Sequence, residues 1–421
     1  MAHETTLIAM LAAAFGLALV FGYAAVRLKL PPLVGYLLAG IVVGPFTPGY
    51  VADVPLAAQL AEIGVILLMF GVGLHFSLSD LLAVRRIAIP GALGRIAAAT
   101  ILADVVMHLR GWSWSAGAVL GLSLAVASTV VLLRALEQRQ ELDAPDGRIA
   151  VGWLIVEDLV TVFILVLLPA FAVGPTSATD ASAAGRSPLV GVGIAVLKAL
   201  VFLALMLIAG RRIIPRLLES VVRTKTRELF TLAVIALALC IAVGASLLFG
   251  VSFALGAFFA GIVIGESDQS HRATASSLPL QDMFAVLFFV AVGMLFDPRI
   301  LLRRPVDVLI VVSIIVVGKS LVAFAIIRAL GYSLRTALIV SAGLSQIGEL
   351  SFLVAGLGTS LGILPAEGRD LILAGALVSI TLNAAMFAGV DRILRWKVNG
   401  ERPAVNGELA TERRPPITDH R

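Results

Sequence analysis

The sequence predicts an all-helical membrane protein of about thirteen spanning segments, built as two repeats of inverted topology with interrupted central helices. Three observations carry that expectation. Charged residues make up only 14% of the 421 positions and hydrophobic ones 59%, where a soluble domain carries about 25% charge. Apolar runs near the 20 residues needed to cross a bilayer core of about 30 Å follow one another along the chain. Short segments also recur at a spacing of 220–221 residues.

Taken in order, the runs lie near 6–26, 32–46, 55–75, 87–107, 115–136, 148–173, 189–210, 228–248, 251–265, 281–296, 306–329, 335–358 and 369–391. No basic residue precedes the first run and no small-residue cleavage site follows it, so it reads as a retained helix rather than a signal peptide. The eighth and ninth runs are separated by little more than Gly250. Merging them would leave twelve spans and upset the orientation. The stretch Gly174–Pro188, rich in Ser, Ala, Thr and Gly, reads as a flexible external loop. Residues 1–391 form one transmembrane domain: repeat one over about 6–173, a linker helix over 189–210, and repeat two over 228–391. Residues 392–421 are expected to be a disordered cytoplasmic tail.

Lys and Arg in the loops set the orientation. With the N-terminus outside, the loops on the inner side hold 16 basic residues, six of them in the cluster from Arg211 to Arg227, and those on the outer side hold 6. The N-terminus is therefore expected outside and the C-terminus inside. The net charge of +5 and pI of about 9.7 report this asymmetry and do not point to nucleic acid. The single cysteine, Cys240, excludes a disulfide framework and a cysteine-based metal cluster.

The repeat is read from three matches. AGIVVGP at 39–45 returns as AGIVIGE at 260–266. ILLMFGVGLHFSLSDLL at 66–82 returns as VLFFVAVGMLFDPRILL at 286–302. Gly147-Arg148 returns as Gly368-Arg369. That offset spans seven helices, an odd number, so the second copy lies upside down, the arrangement of many secondary transporters.

Charge inside the apolar runs is the most informative signal, because an acid at a helix centre costs on the order of 2.5–3.5 kcal/mol to insert. The sixth run places Glu157 and Asp158 side by side. Adjacent helix residues point about 100° apart, so the two acids face different neighbours. Asp158 is the candidate ion-binding acid, and the residues alone leave Glu157 open between ion handling and structure. Lys319, deep in the eleventh run, needs an acid or a helix C-terminus, and Asp158 is its expected partner. Ser128-Thr129 interrupt the fifth run, and Ser345, Gln346, Gly348 and Glu349 the twelfth. Such helices can unwind and offer carbonyls and dipole ends to ions. Arg95 and Glu62 read as structural charges, and His75, Asp104 and His108 as interfacial ones.

On AEIGVILLMFGVGL (61–74), LAVASTVVLL (124–133), LIVEDLV (154–160), AGIVIG (260–265), Lys319 and GLSQIGELSF (343–352), the chain resembles the Kef-type branch of the monovalent cation:proton antiporters over residues 5–391. The resemblance implies a sodium/proton antiporter-like fold, a homodimer in a bacterial inner membrane, a moving core of spans four to six and eleven to thirteen with crossed, broken helices, and a scaffold of the remaining spans. It implies that Asp158 takes the cation (potassium more than sodium) and the proton, with Glu157 and, at one crossover, Ser128 and Thr129 as further cation- or proton-binding residues. It implies too that Gln346 and Glu349 lie at the other crossover and compensate charge or couple the ions, and that Lys319 pairs with the acid. The Glu-Asp pair departs from the Gln-Asp, Asn-Asp or Asp-Asp common in relatives. Kef-type proteins often continue into a cytosolic nucleotide-binding domain; this sequence shows no such unit after the last span. The resemblance thus leaves open both a short member and a longer protein whose nucleotide-binding regulatory domain is missing from this chain. No resident cofactor is expected. The expectation is thus alternating-access exchange at a buried Asp, with a ligand-gated potassium channel not strictly coupled to protons as the alternative. A symporter for organic anions fits poorly with paired acids, and an enzyme is not expected, no HExxH motif being present.

Overall fold

A computed structural model describes residues 2–28, 30–48, 53–75, 78–142, 144–172, 197–198 and 200–400. The expected external loop at 174–188, the first part of the linker helix and the end of the tail lie outside the described residues. The helices are α1 (Ala2–Arg27), α2 (Pro32–Val43), α3 (Val54–His75), α4 (Leu78–Leu109), α5 (Trp114–Ala125), α6 (Thr129–Gln138), α7 (Pro145–Ala172), α8 (Arg211–Arg223), α9 (Arg227–Phe249), α10 (Phe253–Gly265), α11 (Ser270–Met294), a single turn α12 (Ile300–Arg303), α13 (Pro305–Ala329), α14 (Leu334–Gly343), α15 (Glu349–Ser360) and α16 (Ala366–Gly400). Seven of them are long and apolar enough to cross a bilayer among the described residues. No strand occurs there.

The weakest sequence boundary is a true one. Gly250 takes φ +67°, its N–H reaches the Ser246 carbonyl at 3.0 Å, and α9 ends; a left-handed residue at this place favours glycine. Ser252 then caps α10, its hydroxyl accepting from the Leu255 N–H at 3.3 Å. Several boundaries differ from expectation, and helix continues past 210 to Arg223. Helix α4 starts at Leu78 rather than near 87, and α11 at Ser270 rather than near 281. Helix α16 runs to Gly400, so residues 392–400 continue it instead of opening a disordered tail. Hydropathy marks the part of a helix that sits in hydrocarbon, whereas backbone hydrogen bonding carries on through polar turns outside it.

The helices form two packed groups. In the first, α3 lies between α10 and α11, with α2 against α11 and α1 on α2. Glycines set these approaches: a Cβ on Gly40 would stand 2.8 Å from the Gly293 Cα, and one on Gly261 2.9 Å from the Gly73 Cα. In the second group α4, α5 and α7 pack with α13 to α16. At one end of this group Arg139 makes a two-pronged contact with Asp391 at 2.7 and 2.9 Å, Arg335 meets Glu141 at 2.6 Å, and the Thr336 hydroxyl donates to Asp146 at 2.6 Å. These bonds tie α6, α7, α14 and α16 together.

Local detail repeats between the chain halves. Gly111 and Gly331 both take positive φ, +87° and +82°. The N–H groups of Trp112 and Tyr332 return to the Met107 and Ile327 carbonyls at 3.0 and 3.2 Å. Ser113 then caps α5 as Ser333 caps α14.

Candidate cation site

The fifth and twelfth runs are each broken, and the breaks cross. Between α5 and α6, residues 126–128 leave the helix; between α14 and α15, residues 344–348 do. The crossing is held by backbone and by one amide side chain. Gln346 accepts from the Ser128 N–H through Oε1 at 3.0 Å, and its Nε2 donates to the Ser128 carbonyl at 3.1 Å. The Gly348 N–H donates to the Val126 carbonyl at 3.1 Å. A Cβ on Gly348 would stand 2.6 Å from the Ala127 carbonyl carbon, so a residue without a side chain permits the approach. Asn383 of α16 supports the second break, its Nδ2 donating to the Ala342 carbonyl at 2.8 Å, and the Ser379 hydroxyl accepts from the Ile347 N–H at 3.3 Å.

Breaking two helices in an apolar interior exposes two carbonyl-bearing C-terminal ends and two N–H-bearing N-terminal ends, with partial charges of opposite sign. The cations sit on the carbonyl ends. Arg95, fully buried, donates to the Leu344 carbonyl at 2.9 Å and the Ala125 carbonyl at 3.1 Å. Lys319, also fully buried, donates to the Gln346 carbonyl at 2.9 Å and the Val126 carbonyl at 3.4 Å. The acids Asp158 and Glu349 lie towards the other ends. Glu349 opens α15, and Thr129 opens α6 with its hydroxyl donating to Asp158 Oδ2 at 3.0 Å.

The expectations for two charged residues change here. Lys319 is not paired with Asp158; the carbonyls of the crossing satisfy its ammonium. Glu157 is not at the cation site. It is fully buried and takes Arg95 on both oxygens, the Nε–Oε1 distance being 2.7 Å. Helices α4 and α7 are in register for this contact: Gly91, one turn before Arg95, receives the Trp153 ring, one turn before Glu157. Arg95 thus has the structural pairing expected of it, while Glu62 is exposed. His108 stacks on Trp114 with ring centroids 3.8 Å apart, near the end of α4.

Asp158, 6% exposed, lies at a cavity of about 580 Å³. Thr129 and Glu349 line the same cavity, as do Gln281 and Asp282 of α11 and the Pro31–Pro32 link ahead of α2. Ser128, expected among the cation-binding residues, does not line it; its hydroxyl caps α6 by accepting from the Val131 N–H at 3.2 Å. Gln281, Asp282, Asn383 and Ser379 are the participants that sequence reasoning missed. Gln281 and Asp282 stand at the polar edge of the tenth apolar run, where hydropathy marks a boundary and not a site. Ser379 and Asn383 are ordinary helix-packing residues until the crossing is known. No cluster of metal-ligating His, Cys, Asp and Glu occurs among the described residues. The stretch GTSLG at 358–362 has the spacing of a serine-hydrolase elbow, but that motif requires a strand-to-helix turn. Here Ser360 ends α15, exposed, with its hydroxyl donating to the Leu357 carbonyl at 2.9 Å.

Known proteins fit this geometry. The family model described as "Sodium/hydrogen exchanger, transmembrane" matches residues 15–390. The chain is 53% identical over 417 residues to the putative cation/proton antiporter YbaL of Escherichia coli (strain K12), covering 99% of this chain and 74% of that protein. It is 30% identical over 374 residues to K(+) efflux antiporter 4 of Arabidopsis thaliana, covering 87% of this chain and 62% of the relative. Among solved structures, the sodium proton antiporter MjNhaP1 from Methanocaldococcus jannaschii at pH 8 superposes with a TM-score of 0.68 at 17% identity, over 93% of this chain and 98% of that one.

Proposed function

This chain belongs to the sodium/hydrogen exchanger family of transmembrane antiporters, and on that premise we propose that it exchanges potassium for protons by alternating access, with Asp158 as the group that both ions share. One observation carries the reading. Of the two adjacent acids in α7, Glu157 is consumed by Arg95, while Asp158 meets the cavity with the Thr129 hydroxyl as its hydrogen-bond donor. An ionised carboxylate in so small a polar setting requires a counter-ion or a proton. Cation and proton therefore compete for it. Potassium is favoured over sodium because the Arabidopsis relative is named a K(+) efflux antiporter.

Alternating access needs two arrangements of one site, which inverted repeats supply. The inverted-repeat reading is supported by the reciprocal glycine contacts, in which Gly40 meets Gly293 and Gly261 meets Gly73, and by the matched turns at Gly111 and Gly331. The α4–α7 and α13–α16 group is then the moving core. The α1–α3 and α9–α11 group is the scaffold and, as a homodimer, the side that meets a second copy. The cavity is lined by the Pro31–Pro32 link and by Val151, Leu154 and Ile155 of α7, on the side that the charge asymmetry of the loops assigns to the cytoplasm of a bacterial cell.

Reconstitution in proteoliposomes containing a pH-sensitive dye tests this reading. A potassium gradient is expected to drive proton movement in the wild type, and Asp158→Asn to abolish it while leaving the protein monodisperse. Full proton-coupled transport by that variant would refute the assignment. Cation flux without any pH change in the wild type would favour a gated, uncoupled pathway.

A further inference from the structure

We propose that Glu349 is a second carboxylate of the same cation site, so that one potassium ion displaces two protons and the exchange moves net charge. The proposal rests on the reading of Asp158 as the shared acid. Glu349 is 5% exposed, lines the cavity that holds Asp158 and Thr129, and leaves its Oε2 buried with no hydrogen-bond partner. An unpartnered carboxylate oxygen away from water is the costliest kind of unsatisfied acceptor, and a bound proton or cation removes the cost. Its place at the first residue of α15 favours the anion through the helix N-terminus, where Gly348 offers no side-chain cap.

The surrounding charges leave both acids uncompensated. On α7, Glu157 is neutralised by Arg95 of α4. Lys319 of α13 is directed to the carbonyls of Val126 and Gln346. Helix α5, packed on α15, carries no charged residue, and α16 presents Ser379 and Asn383 to the crossing. Asp282 of α11, exposed in the cavity wall, adds a further negative charge and no positive one. Two ionisable oxygen donors thus share one cavity with no protein cation between them, and their protons leave as a coupled pair. Charge balance over one cycle follows: two carboxylates carry two protons in one direction and a single monovalent ion in the other, leaving one positive charge moved with the protons.

The test uses the full chain in proteoliposomes adsorbed on a solid-supported membrane, with a pH-dye assay run on the same preparations. A potassium jump at symmetric pH is expected to give a transient current in the wild type. Glu349→Gln is expected to slow pH-dye exchange and to carry no current for each proton that it still moves. In the same variant the slope of log apparent KM for potassium against pH falls from about two to about one. Glu349→Asp, which keeps the carboxylate, is expected to keep the current. An electroneutral wild type overturns the proposal whatever the variants do, as does a Glu349→Gln protein with undiminished current and an unchanged slope. Failure of the underlying reading looks different: Asp158→Asn would then still exchange protons.

Discussion

Glu157 and Asp158 are neighbours with opposite fates because a helix turns them about 100° apart. One meets Arg95 in full burial; the other meets Thr129 and the cavity. Removing one member of a buried ion pair strands the other charge and costs about 3–5 kcal/mol, whereas replacing both with apolar side chains of similar volume is near neutral or stabilising. Glu157→Leu is therefore expected to lower the thermal unfolding temperature in detergent strongly. The double variant Arg95→Met/Glu157→Leu should lose less than the single one, although Arg95 also serves the Ala125 and Leu344 carbonyls, so restoration will be partial. Equal or additive losses would show that the pair is not the main contact of either residue. The acids themselves were legible in the sequence, since charge in an apolar run is rare. Their partners were not. Arg95 and Glu157 stand 62 positions apart, and the acceptors of Lys319 are backbone carbonyls, which no sequence letter marks.

At the scale of the element, the crossing of the two breaks depends on Gly348. Adding one methyl group there brings it against the Ala127 carbonyl and the Ser128 N–H, and overpacking of this kind costs about 1–3 kcal/mol. Gly348→Ala is expected to lower both thermal stability and exchange rate. Gly356→Ala on the same helix has open space around its added Cβ and should be neutral or stabilising, by about 1 kcal/mol at most. Melting curves with exchange rates for both variants check this, and equal behaviour of the two would contradict the close-approach account. The sequence marked the polar interruptions at 128–129 and 345–349 but not how far the helices unwind. Val126 and Ala127 read as ordinary helix residues. They leave the helix because the Gly348 N–H and the Ser351 hydroxyl donate to the Val126 carbonyl and Gln346 serves the Ser128 backbone, and those partners exist only once the second half has folded against the first.

At the scale of the whole molecule, the cavity at Asp158 is a one-sided feature. Its lining runs from the Pro31–Pro32 link through Val151 and Leu154 to Asp282 and Asp158, and no residue of the turn at Gly111 or the end of α15 takes part. Val151 is therefore expected to be reachable by water from the membrane face that carries Arg148. Ser360, exposed at the end of α15, should be reachable from the opposite face. The exposed Cys240 is first replaced by Ala to remove the background thiol. Val151→Cys should then react with a membrane-impermeant maleimide in inside-out vesicles and resist it in right-side-out ones, and Ser360→Cys should show the reverse. Both labelled from one face would overturn the sidedness of the cavity. Both labelled with the faces exchanged would preserve the cavity but invert the orientation drawn from the loop charges. The two results separate a claim about packing, which rests on side-chain contacts, from one about insertion, which rests on arginine and lysine in the loops.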